Sequence, residues 1–131
     1  MRYAVVAVLM LACSMPFGID AATHPSWEAA LARADAAGLL VDRCRNADVV
    51  YRVLTDEEAK QQGMPSWACG MTVGRIVRVR ESCIPTFSEE WILEHEFLHA
   101  VLACSEGGVS YENANHEGPE WDGLRVNEFM R

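Results

Sequence analysis

The sequence has no excess of positive charge: 11 Lys and Arg face 19 Asp and Glu, a formal net charge of −8. Such a chain gains no counterion-release advantage on a polyanion and is repelled by one, so no nucleic-acid partner is expected. It also lacks a long apolar run near its start. Tyr3–Cys13 has eleven residues, against the ~20 that a membrane helix needs. There is no internal repeat and no low-complexity segment, and 131 residues suit one domain with no room for two.

What the N-terminus does have is the form of an address. Arg2 precedes the apolar run, and small residues follow at Ala21 and Ala22. This reads as a secretory signal over residues 1–21, with the domain over 22–131. Met10-Leu11-Ala12-Cys13 offers a second reading, a lipoprotein signal ending at Cys13, although leucine usually stands where Met10 does. A short buried N-terminal helix is the bland alternative. Either signal implies an exported chain, periplasmic or secreted, with a lipid anchor on Cys13 in the second case and no transmembrane helix in the mature chain. Removing residues 1–21 takes away Arg2 and Asp20 together, so the mature chain stays at −8.

Four cysteines remain beyond the signal: Cys44, Cys69, Cys83 and Cys104. An even number in an exported domain reads as two disulfides. A helix from Ser88 to Cys104 would rise ~24 Å, and the five residues from Cys83 to Ser88 reach at most ~17 Å. The remaining gap is close to the ~7 Å limit of a bridge, which disfavours Cys83–Cys104. Cys44 then pairs with Cys83 or with Cys104.

Local patterns give the elements. Ser26 is an expected N-cap for a helix over Trp27–Ala37, stopped by Gly38. Asp48-Val49-Val50-Tyr51-Arg52-Val53-Leu54 reads as a strand. Thr55-Asp56-Glu57-Glu58 is a capping box that opens a short helical turn ending at Gly63. Residues 67–81 read as a hairpin around Gly74, whose second arm alternates apolar residues with Arg75, Arg78 and Arg80. That alternation predicts a solvated arginine face and an edge strand able to pair with an extended peptide. Ser88 then caps a helix through Cys104 with Glu89 and Glu90 in its first turn. Apolar residues lie all round that helix, which predicts a central, buried position. Pro119 opens a last helix towards Arg131.

The chemistry lies on the central helix, in His95-Glu96-Phe97-Leu98-His99. Four residues apart, both imidazoles leave one helix face and can meet one Zn²⁺ at ~2.0–2.1 Å. Glu96 projects about 100° away, placed to take a proton from water rather than to ligate. A catalytic zinc needs a third protein ligand and an open position. His116 is the expected third ligand, with Glu120 next and Glu128, near the chain end, after it. Tyr111 and Arg125 are read as structural rather than as oxyanion donors, and Trp91 and Trp121 as core or site-wall residues. His24 shows no sign of a role.

His95-Glu96-xx-His99, a loop, then His116 and Gly118-Pro119-Glu120-Trp121 resemble the active site of SprT-like minimal metallopeptidases, including the Spartan proteases. In those, the histidine directly precedes Gly-Pro-Glu and an aromatic residue; here Glu117 intervenes. The likeness covers roughly 30 residues. It implies zinc ligation by His95, His99 and His116 and a general-base role for Glu96. It does not extend to that family's intracellular, DNA-associated setting, given the acidic charge and the signal. The expectation is a single small α+β zincin-like domain: a mostly antiparallel sheet, a central HExxH helix, and a monomer acting on a peptide or protein substrate. Two rivals are a non-catalytic zinc-containing envelope or binding module, and a cell-wall amide hydrolase.

Overall fold

The computed structural model describes residues 18–105, 116 and 118–124. Helices and one mixed four-stranded sheet make an α+β fold. In chain order the elements are β1 (Ile19–Asp20), α1 (Pro25–Ala36), β2 (Val50–Leu54), α2 (Asp56–Gln61), β3 (Gly70–Val73), β4 (Ile76–Arg80) and α3 (Glu89–Ser105), with single 3-10 turns at Ala21–Thr23, Glu81–Cys83 and Pro119–Trp121.

Helix α1 starts two residues before the expected Trp27. Its N-cap is His24, whose Nδ1 accepts the Ser26 N–H at 3.1 Å, and Pro25 takes the first helical position. Proline has no N–H to leave unsatisfied there, so an imidazole lone pair can do the capping. Ser26 instead donates its hydroxyl to the Glu90 carbonyl on α3, 3.0 Å away. Trp27, Ala30, Leu31 and Ala34 form the buried stripe, at the spacing of one helix face. Gly38, at φ +89°, ends the helix. The other two helices begin where the sequence says: Thr55 and Glu58 form a reciprocal capping box, and Ser88 Oγ accepts the Trp91 N–H at 3.1 Å.

The sheet runs in the order β1-β2-β4-β3. The hairpin β3–β4 is antiparallel as expected, but its second arm pairs in parallel with β2 over five residue pairs, Val50↔Ile76 to Leu54↔Arg80. The sheet is therefore mixed, with two antiparallel pairings and one parallel, and β4 is internal. Its Val77 and Val79 are fully buried, on a strand paired along both sides and packed against α3. The edge beside α3 is β3, not the Arg75–Arg80 arm. The arginines are correspondingly engaged: Arg78 Nε donates to Gln62, while Arg80, 8% exposed, donates to the Ala68 and Pro65 carbonyls and pairs with Asp56.

At the other edge, β1 lies antiparallel on β2, and buried Ala21 donates its N–H to the Val49 carbonyl at 2.8 Å. The folded part thus includes residues upstream of the boundary expected at Ala22. Backbone pairing and the burial of a small side chain hold them there.

Helix α3 crosses the centre, with α1 along it and strands β3 and β4 against it. Trp27 and Tyr51 both meet Phe97 edge-on, with ring centroids 5.7 Å apart in each pair. Such aromatic burial contributes ~1.5–3 kcal/mol per side chain. Disulfides Cys44–Cys104 and Cys69–Cys83 complete the frame. The first was one of the two pairings left open for Cys44. Two disulfides fit an oxidising compartment, and no helix among the described residues is long and apolar enough to cross a membrane. The last helix expected over Pro119–Arg131 is, within the described residues, a 3-10 turn at Pro119–Trp121 followed by a turn to Leu124.

Candidate metal centre

His95 and His99 lie in the buried stretch of α3, one turn apart, with ring centroids separated by 5.1 Å. The chain after α3 returns so that His116 sits 4.8 Å from the His95 ring and 5.0 Å from the His99 ring. The three ligand nitrogens lie within 4.8 Å of one another. The Nε2 atoms of His99 and His116 are 3.1 Å apart, near the ~3.3 Å edge of a tetrahedron whose arms are zinc–imidazole bonds. His116 has φ +50°, the one non-glycine in the left-handed region among the described residues. That conformation costs of order 1–3 kcal/mol and persists where the surroundings hold it, typically at a functional site.

Hydrogen bonding sets one tautomer. His95 Nδ1 lies 3.0 Å from the Leu124 carbonyl oxygen, which can only accept. The proton therefore sits on Nδ1, and Nε2 presents its lone pair. That Nε2 is buried and has no partner, an arrangement costly in an ordinary core and suited to a cation. Burial, first, and neighbouring imidazoles, second, push His95 down to about 3 and His99 down to about 2. Both are thus neutral at physiological pH and need lose no proton to ligate. Trp121, fully buried, lies 4.7–4.9 Å from all three imidazole rings, and Trp91 stacks on His95 at 6.2 Å. These three histidines could hold a metal ion, and as a nitrogen donor set they fit one of intermediate softness.

Glu96 is 1% exposed and stands outside the ligand group. Its Oε1 lies 3.1 Å from Thr72 Oγ1, which is also 3.0 Å from the Glu96 carbonyl oxygen, while Oε2 is buried without a partner. Burial raises its carboxyl to about 8, and the Thr72 hydrogen bond opposes that rise. The side chain fits because Gly70 has none: a Cβ there would stand 2.6 Å from Glu96 Cγ.

The structure brings together His95, His99 and His116, while Glu96, next to His95 along α3, packs its side chain against Thr72 and Gly70. Glu120 is not part of the ligand group; its carboxylate lies against Gly118. Glu128, Tyr111 and Arg125 fall outside the described residues. Thr72, Gly70 and the Leu124 carbonyl escaped the sequence reading. A threonine and a glycine in a hairpin arm carry no mark of what they face, and a backbone carbonyl leaves none at all.

Fold and site together define an α+β domain with a buried three-histidine cluster, two of its members on the central helix and one from the segment beyond it. No family model, curated protein or solved structure matches the chain.

Proposed function

We propose that this chain is an exported zinc-dependent hydrolase acting on peptides. The observation that carries the reading is the division of labour on one helix turn. Three imidazoles, two from α3 and one from the segment beyond it, form the group that could take the ion, while Glu96 follows His95 along the helix, outside that group, with no partner on Oε2. When bound, zinc would supply the Lewis acidity that makes water a nucleophile near neutral pH. Glu96 Oε2 takes the proton from that water and returns it to the departing amine nitrogen. A neighbouring cation favours the charged carboxylate, so Glu96, raised to about 8 by burial in the metal-free protein, is drawn back towards its basic form. Beside it, β3 has no strand on its outer side among the described residues, which suits antiparallel pairing with an extended peptide. The resemblance to SprT-like metallopeptidases supports the same assignment, and the signal-like N-terminus with two disulfides supports export.

One observation favours a second reading, a metal-holding module without catalysis. His95, Glu96, His99 and His116 are only 0%, 1%, 8% and 7% exposed, and a substrate must reach them. Metal analysis and cleavage of unfolded casein by wild type and Glu96→Gln separate the two. The hydrolase reading expects one zinc per chain in both proteins and cleavage by wild type alone. Zinc without cleavage favours the module; no zinc removes both.

A further inference from the structure

Thr72 makes two contacts with one residue, and only one of them is needed to hold strand to helix. Its Oγ1 lies 3.0 Å from the Glu96 main-chain carbonyl and 3.1 Å from Oε1. The hydroxyl carries one proton and two lone pairs. Donation to the carbonyl alone would tie β3 to α3; the second contact reaches the carboxyl group itself. On the same strand face, two residues back, Gly70 leaves the space that the Glu96 side chain fills. The Cys69–Cys83 bridge fixes the start of that strand. A missing side chain and a hydroxyl thus meet at one carboxyl group, and they leave its two oxygens unlike: Oε1 shares the Thr72 hydroxyl proton with the Glu96 carbonyl, and Oε2 has no partner.

Resting on the hydrolase reading, we propose that Thr72 is the positioning residue for Glu96: it anchors Oε1 by donating to it, so that proton exchange takes place at Oε2. A donor on Oε1 lowers that oxygen's basicity and fixes the carboxyl plane, which a group that accepts and returns a proton needs. The hydroxyl transfers no proton itself. The proton leaves water for Oε2, then leaves Oε2 for the amine nitrogen, and the Thr72 hydrogen stays on its own oxygen throughout.

The test compares Thr72→Val, which keeps the shape and removes the hydroxyl, with Thr72→Ser, which keeps the hydroxyl. Three quantities are read: zinc per chain, kcat and KM on a fluorescently quenched unfolded casein, and the carboxyl ¹³C resonance of Glu96, identified by its loss in Glu96→Gln. In Thr72→Val, zinc and KM are expected to stay within about twofold while kcat falls about 10–100-fold, the range of one charge-assisted hydrogen bond at a reacting group. The Glu96 resonance should move in Thr72→Val and keep its wild-type position in Thr72→Ser, whose kcat should lie within about threefold of wild type. Equal defects in both variants, an unchanged kcat in Thr72→Val, or an unmoved resonance would overturn the proposal. If wild type cuts nothing while the resonance responds as expected, the hold on Glu96 stands and the hydrolase reading falls.

Discussion

The two halves of the metal centre are built differently. His95, Glu96 and His99 sit on one continuous helix, buried from Ile92 to Leu102 and flanked by α1 and the sheet. His116, Trp121 and the Leu124 carbonyl come from a short segment with a single 3-10 turn. That segment is held by a few contacts: the Leu124 carbonyl on His95, the burial of Trp121, and Arg33, which pairs with Glu94 on α3 and donates to the Asp122 carbonyl. One half takes its precision from regular structure. The other depends on the first half being in place. Local periodicity can therefore place His95, Glu96 and His99 on one helix, but not bring His116 to them.

The largest effect that would break this comparison is on metal affinity. His95→Ala and His116→Ala should each weaken zinc binding by more than the ~10–100-fold typical of losing an outer partner. They should differ in the protein left behind, since His95→Ala empties a core position while His116→Ala touches one end segment. Zinc titration with thermal unfolding of the metal-free forms would show this; equal loss of melting temperature would contradict it. His116→Gly relieves the positive φ, so a metal-free form at least as stable as that of His116→Ala assigns the loss of zinc to the imidazole.

Next in size are the disulfides. Removing Cys44–Cys104, which spans 60 residues, should cost ~4 kcal/mol, and removing Cys69–Cys83, which spans 14, should cost ~3 kcal/mol by loop entropy. Denaturant midpoints of the paired Cys→Ala variants measure both. Only the second removal should lower activity at constant zinc content, because that bridge fixes the strand under Glu96.

The pH dependence of metal-free stability sharpens the helix half alone. His95 and His99 are lowered from 6.5 to about 3 and about 2. Their neutral burial contributes fully above pH ~6.5 and is lost progressively as pH falls below it, where the unfolded chain takes up protons. Glu96 is raised from 4.5 to about 8; its contribution is present below pH ~4.5 and is lost as pH rises towards 8. From these three groups, urea midpoints of the chelator-treated protein should peak near pH 6.5 and fall on both sides. A profile that rises to pH ~6.5 and then stays level to pH 8 would show Glu96 ionised in the metal-free fold.

The smallest expected effect is that of Arg33→Ala. Its ion pair is partly exposed, so zinc affinity should fall by no more than about tenfold, with protease cutting increased in the 116–124 segment and unchanged in α3.

Much of the helix half was legible in the residues. Ser88, the all-round apolar pattern and the spacing of His95 and His99 state a buried helix with two imidazoles on one face. Thr55 and Glu58 are equally plain, and the reach between Cys83 and Cys104 removed one of the three disulfide pairings. His116 was legible by residue type alone. The parallel pairing of β2 with β4 was not, because alternation says which side chains are buried but not which strand lies alongside. Nor was the cap at His24, since an imidazole acts as a cap only when its lone pair faces the helix. Glu120 stood next to His116 as a candidate by residue type, and the path of the chain separates them.

The bridge from Cys44 to Cys104 closes a covalent ring, and the ring closed by Cys69–Cys83 lies wholly inside it. Nested rings form in either order without threading one through the other. His95 and His99 belong to the outer ring, whereas His116 lies on the tail beyond it. An ion on the three imidazoles would close a third loop, joining ring to tail by bonds that a chelator can undo. The rings would then persist while the tail is released, and such an ion would act as a reversible clasp laid over two permanent ones.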